Sequence, residues 1–223
     1  TDEVKHMIII GEKINGAIPA VGKAIAERDA EVIRDRVRRQ VAADADFIDC
    51  AASCDAALEY DAMRWLLDII QAETDKPVCI DSPNAALLAR LISEGAVKRP
   101  GMVNSVSMEG DKCALVLPLI AGTDWQVIGL TCDNGGIPAE PEKRIDIAKR
   151  LIEQADSAGV ALKNLHIDPC VMALATMPSS MQDFEAVIHY LQGATGRVGD
   201  LISGVVDPEE AQAALDTWNS APG

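Results

Sequence analysis

The stretch KPVCIDSPNAALLARLISEGAVKRPGMVNSVS, residues 76–107, decides the fold. Pro77–Asp81 is a β-rich apolar run that ends on a carboxylate. Ala85–Ser93 is a short helical segment, and Met102–Val106 is a second β-rich run that carries an amide. Strand, turn, helix, strand, with nearly continuous apolar strands, is the unit of a parallel sheet covered by helices.

The same rhythm runs outward in both directions. His6–Gly11, Phe47–Ala51, Gln126–Cys132 and Leu165–Asp168 read as further strands. Between them, Val21–Ala43 carries Val32, Ile33, Val37 and Val41 at helical spacing, and Tyr60–Glu73 carries Met63, Leu66, Leu67 and Ile70. Cys113–Ala121 is a shorter helix. Glu140–Ala158 places Pro141 in its first turn, where a missing N–H costs nothing, and a last helix lies around Met181–Gln192. Six βα units by Asp168 fit a closed eight-unit (β/α)₈ TIM barrel better than a small open sheet. No repeat, low-complexity tract or linker interrupts the pattern, so residues 1–223 read as a single barrel domain. The tail is short of that fold. Gly193–Gly223 offers one apolar stretch, Leu201–Val206, and one helical stretch, Pro208–Trp218. One to two βα units are therefore expected to be missing, with the break between Gly193 and Leu201.

Composition narrows the function classes. The 223 residues carry 20 Lys+Arg against 35 Asp+Glu, a formal charge of −15. So acidic a chain suits neither a phosphate backbone nor an anionic membrane surface, so neither nucleic acid nor membrane is an expected partner. No apolar run approaches the roughly 20 residues of a membrane span, and Thr1–Val4 has no signal-peptide pattern. The six cysteines form no Cys-x-x-Cys pair and read as reduced thiols of a cytoplasmic protein.

In a (β/α)₈ barrel, catalytic groups stand at the carboxyl ends of the strands. Here those ends carry Glu12 and Asn15, Asp49, Asp81, Asn104 and Ser105, Asp133, and Asp168. One such residue commonly caps a helix or starts a turn. Six strand ends in succession make a polar, acidic mouth. Carboxylates and amides pair with N–H and NH₂ edges, such as those of a pterin, guanine or guanidinium. Phosphate-cradling glycine motifs are absent, and Gly135-Gly136 fits a turn more readily than an anion nest. Cys50, Cys79, Cys132 and Cys170 lie within two residues of strand-end Asp positions, where packing or a zinc site would fit; packing is the commoner use of such thiols, and no metal is expected. His6 and His166 begin strands and His189 lies in an outer helix, so none stands where a catalytic base would.

These strand ends resemble those of the pterin-binding methyltransferases. The resemblance rests on Gly-Glu-Lys-Ile-Asn at 11–15, Cys-Ile-Asp-Ser-Pro-Asn at 79–84, Val-Asn-Ser-Val-Ser at 103–107, Asp-Asn-Gly-Gly-Ile-Pro at 133–138 and Asp-Pro at 168–169. It runs from about Met7 to Gly193 and is nearest to the methyltetrahydrofolate:corrinoid methyltransferases, including those of O-demethylase and glycine-betaine-type systems. The resemblance implies a TIM barrel, usually a homodimer, that binds tetrahydrofolate or methyltetrahydrofolate in its mouth. It also implies a separate corrinoid protein that presents cobalt over that mouth. By position, Asp81, Asn104 and Asp168 would hold the pterin, with Glu12, Asn15, Asp49, Ser105 and Asp133 as secondary wall residues. The implied activity is methyl transfer between N5 of the folate and cobalt.

Two departures stand out. The family usually carries an Asn shortly after the strand-two Asp, where this chain has Cys50-Ala51-Ala52. Family members also carry a Gly-Leu-Ser-Asn-type strand after the sixth helix, with its Asn near N5. Nothing between Gly193 and Leu201 matches it, so no residue is assigned the catalytic role. Two other readings stay open. One is a dihydropteroate synthase-like condensing enzyme, whose usual Ser-x-Arg-Pro-Gly and Arg-x-His elements are absent. The other is a non-catalytic pterin- or partner-binding subunit.

Overall fold

The computed structural model describes residues 8–171 and 180–193. They form two compact units, residues 8–82 with 94–102, and residues 83–93 with 103–171 and 180–193. The expected break between Gly193 and Leu201, and the stretches Leu201–Val206 and Pro208–Trp218, lie outside the described residues.

The first unit carries three strands in chain order: β1 (Ile10–Gly11), β2 (Phe47–Ala51) and β3 (Val78–Asp81). Both pairings are parallel, with Gly11 opposite Ile48, Asp49 opposite Cys79, and Ala51 opposite Asp81. Every residue of β2 is buried, as expected of a strand covered on both faces. Of the expected strand His6–Gly11, His6 and Met7 lie outside the described residues, and Ile8 and Ile9 precede the strand. The Ile9 N–H donates to the Asp46 carboxylate at 2.8 Å, and its carbonyl accepts from the N–H groups of Asp46 and Phe47.

The helices of this unit correct one expectation. Val21–Ala43 is not one helix but two, α1 (Pro19–Glu27) and α2 (Ala30–Ala42). Arg28 takes a left-handed conformation, φ 57°, that ends α1, and Asp29 caps α2 by accepting from the Glu31 N–H at 3.1 Å. An Asp cap of this kind is favourable by about 1 kcal/mol. The Arg28 guanidinium lies 5.0 Å from the centroid of the Trp65 ring, which helps hold the corner. Helix α3 (Ala56–Glu73) begins a turn earlier than expected and lays Met63, Leu66, Leu67 and Ile70 against the strands.

The second unit repeats the arrangement with α4 (Ala85–Ser93), β4 (Met102–Met108), α5 (Lys112–Ile120), β5 (Gln126–Asp133), α6 (Pro141–Ala158), β6 (Leu165–Asp168) and α7 (Ser180–Gly193). Its strands also follow chain order, and β5 and β6 pair in parallel with Leu130 opposite Asp168. Asn84 accepts from the Leu87 N–H at the start of α4. Pro141 opens α6 as expected, and Gly159 at φ 84° ends it, a left-handed position where glycine carries no Cβ penalty. Ile152 of α6 packs with Val187 and Leu191 of α7 over Leu165 and Ile167 of β6. His166 pairs with Gln126 at 2.6 Å at the amino ends of these strands, and His189 is exposed on α7. No helix among the described residues is long and apolar enough to cross a membrane.

Candidate functional site

In the first unit, strand alternation sends the side chains of Asp49, Ala51, Cys79 and Asp81 to one face and those of Cys50 and Ile80 to the other. Cys50 meets Met63 of α3, Sγ to Sδ 3.9 Å. On the first face, Asp49 is 1% exposed, and its Oδ1 has no hydrogen-bond partner. Burial, then the charges of Asp81 and Glu12, push its carboxyl up to about 8. The carboxyl is therefore neutral at pH 7. Asp81 is less enclosed, and burial with the charges of Glu12 and Glu59 pushes it up to about 6. The three strand ends thus present one neutral carboxyl, one that titrates just below neutrality, and Glu12 at the exposed rim. Such a face accepts N–H donors and offers one O–H in return.

Glu59, on the first turn of α3, is buried and accepts from the Ser82 hydroxyl at 2.6 Å. It was not legible as a site residue, because an acidic residue in a first helical turn reads as a solvated partner of the helix dipole. Asn15 joins the loops after β1 and β2. Its Oδ1 accepts from the Ala17 N–H and from the Ser53 hydroxyl, both at 2.9 Å, and its backbone bridges to Ala51. Gly16 beside it has no room for a side chain, since a Cβ there would lie 2.0 Å from the Ala52 carbonyl oxygen.

In the second unit, Asn104 and Ser105 lie half-buried on β4. Two residues beyond Ser105, Ser107 donates to Glu109 at 2.8 Å, and Lys112 donates to the same carboxylate at 2.7 Å. The Lys112 ammonium, then the Ser107 hydroxyl, hold Glu109 below the ordinary carboxylate range. Asp133 closes a turn, with Oδ1 accepting from the Gly135 N–H at 2.8 Å and Gly136 at φ 88°. The glycine pair is therefore turn geometry. Asn134 accepts from the Gly110 N–H and so links the loops after β4 and β5. Asp168 ends β6 exposed, and its Oδ1 accepts from the Cys170 N–H at 2.8 Å.

The buried thiols have local partners. Cys79 faces Asp49, Cys113 donates to the Ser107 carbonyl, Cys132 to Glu109, and Cys170 to the Asp168 carbonyl. Burial pushes Cys50 and Cys79 well above the ordinary thiol range, and Cys113 and Cys132 to about 11. Raised thiols are poor metal ligands and poor nucleophiles. Among the described residues, no three His, Cys, Asp or Glu side chains group closely enough to hold a metal ion.

A helix-covered parallel α/β fold with acids and amides at its strand ends defines a class of enzyme rather than a single chemistry. Similarity to known proteins narrows it. The pterin binding enzyme family matches residues 21–204. A methylcorrinoid:tetrahydrofolate methyltransferase of Eubacterium limosum is 45% identical over 185 residues, which are 82% of this chain and 68% of that protein. Two solved dihydropteroate synthases share the fold at 17% identity. The Xanthomonas albilineans enzyme in complex with 7,8-dihydropteroate has a TM-score of 0.58, covering 96% of this chain and 82% of that one. The Thermus thermophilus enzyme has a TM-score of 0.59, covering 95% and 84%. The chain belongs to the pterin-binding enzymes, on their methyltransferase branch.

Proposed function

We propose that this enzyme moves a methyl group between N5 of tetrahydrofolate and the cobalt of a corrinoid carried by a separate protein. The observation that carries the reading is the 45% identity to a methylcorrinoid:tetrahydrofolate methyltransferase over 82% of the chain. The donor set fits the folate. A reduced pterin presents an amino group and ring N–H groups, and the first unit offers Asp81 as acceptor beside the unpartnered Oδ1 of buried Asp49.

In this reading Asp81, Asn104 and Asp168 hold the pterin. Asp81 and Asp168 accept from its N–H edges, while the Asn104 amide both donates and accepts. Glu12, Asn15, Asp49, Ser105 and Asp133 complete the wall. Asn15 and Asp133 do so mainly by fixing loops, since their carboxamide and carboxylate oxygens are engaged within the protein. The chain's part in the reaction is to bind and orient the folate so that its methyl-bearing nitrogen faces the partner. The corrinoid supplies the cobalt that takes or gives the methyl group. Protonation or hydrogen bonding at N5 in the transition state would make the amine a better leaving group. The family's Asn strand for that role would fall between Gly193 and Leu201, outside the described residues.

The same reading takes residues 1–223 as one barrel domain, acting in the cytoplasm as a homodimer, in an O-demethylating or related one-carbon system. Methyl transfer between methyltetrahydrofolate and purified corrinoid protein, followed by the change in cobalt absorbance, tests it. Condensation of a pterin pyrophosphate with 4-aminobenzoate would instead support the dihydropteroate synthase reading. Folate binding without either reaction would leave a binding subunit.

A further inference from the structure

Arg144 lies in the first turn of α6, and its side chain is 0% exposed. A buried guanidinium costs several kcal/mol unless its donors are met. Here Nε donates to the Pro138 carbonyl at 2.7 Å, and Nη1 donates to the carbonyls of Pro169 at 3.2 Å and Cys170 at 3.1 Å. Nη2 lies 3.6 Å from the Asp183 carboxylate on α7. One side chain thus ties the loop leaving β5, the loop leaving β6 and the start of α7.

The two carbonyls held by Nη1 immediately follow Asp168. The Cys170 peptide is gripped from both sides: its N–H donates to the Asp168 carboxylate, and its carbonyl accepts from Arg144. Cys170 also sits at φ 60°, a left-handed conformation that disfavours any residue with a Cβ and persists only where its surroundings impose it. A purely apolar filler could occupy the volume under α6, but it could not pin two successive carbonyls. We infer that Arg144 is a positioning residue for folate binding, acting through Asp168 by locking the β6 exit so that its carboxylate is presented in one orientation. This rests on the reading that Asp168 holds the pterin.

A double-mutant cycle tests it, with tetrahydrofolate titrated calorimetrically into the wild type, Arg144→Lys, Asp168→Ala and the double variant, each checked by circular dichroism for folding. Lysine keeps the charge facing Asp183 but cannot reach three carbonyls at once. Arg144→Lys should weaken folate binding by about 5- to 20-fold, a coupling typical of residues in one hydrogen-bond network. In the Asp168→Ala background the same substitution should change affinity less than about twofold. Wild-type affinity in folded Arg144→Lys, or an undiminished effect in the Asp168→Ala background, would overturn the inference while leaving the pterin assignment intact. Unchanged binding in Asp168→Ala alone would remove the assignment and the inference with it. A merely structural role would lower thermal stability in both backgrounds without this cancellation. Should Arg144→Lys not fold, Arg144→Gln combined with Asp183→Asn removes the buried charge with its counter-ion and carries the same cycle.

Discussion

Replacing Asp49 with Asn should abolish a pH dependence of stability that the fold builds into β2. A free aspartate titrates at 3.8, and burial beside Asp81 and Glu12 moves Asp49 to about 8. Below about pH 4 the carboxyl is neutral in the folded and the unfolded chain alike. Between about 4 and 8 it is neutral only in the fold, so the native state holds one proton more than the unfolded state. Stability then falls as pH rises, by up to about 1.4 kcal/mol per pH unit, and the fall ends once pH passes the folded value. Across the whole window the loss is on the order of 5 kcal/mol, a large part of the roughly 5–15 kcal/mol typical of a domain. Asparagine is a neutral near-isostere that cannot ionise. Between about pH 5 and pH 8 the wild type should lose about 3–4 kcal/mol more than Asp49→Asn, so the variant gains on it in alkali. Urea unfolding of both proteins at about pH 5, 6.5 and 8 measures this, and groups not coupled to Asp49 cancel in the difference. Parallel stability profiles would refute the argument, since they would mean that Asp49 ionises in the fold as freely as in water.

Folate affinity should weaken as pH falls through about 6, where Asp81 takes up a proton and loses the charge that strengthens its hydrogen bonds to N–H donors; Asp81→Asn should bind weakly at every pH, and an acid limb that survives in that variant would point to another group. Asp81→Ala and Asp168→Ala should each weaken tetrahydrofolate binding by about 1–3 kcal/mol, because a ligand donor loses its acceptor, and calorimetry reads this directly. Ser82→Ala should cost about 1–3 kcal/mol of stability by stripping a hydrogen bond from buried Glu59, with an unchanged unfolding midpoint counting against it. Gly16→Ala should cost about 1–3 kcal/mol, towards the upper end, since its methyl meets a backbone carbonyl that cannot rotate away; wild-type stability in that variant would show that the β1 and β2 exits are looser than described.

The strands and most helices were legible because their periodicities, about two and 3.6 residues, are local properties of the chain. The α1–α2 corner was not. Ile33, Val37 and Val41 keep helical spacing from the end of the break onward, while the signal for the break is a single cap residue, Asp29, after an arginine in a conformation any sequence would disfavour. The strand-end acids were visible as residues, but their states were not. Nothing local separates Asp49 from Asp81, and only enclosure and the register that sets both on one face separate their titration. Glu59 and Arg144 escaped for another reason. Both sit in first helical turns among charged neighbours, and a charge there ordinarily faces water. Their partners, Ser82 in one case and three loop carbonyls in the other, lie 6 to 26 residues away in sequence.

The distribution of the thiols has a practical consequence for spectroscopy. Five of the six cysteines are buried, and Cys54 alone is exposed, three residues beyond the end of β2. Its own thiol is raised by partial burial and by Glu59 and Asp55, so it alkylates slowly, but Cys50 and Cys79 are both raised and sealed from solvent. A maleimide fluorophore would therefore report from one address, in the loop beside Ser53, whose hydroxyl is bonded to Asn15. Emission from that label would register rearrangement of the β1 and β2 exits in the unmutated protein, with no engineered cysteine and no background to subtract.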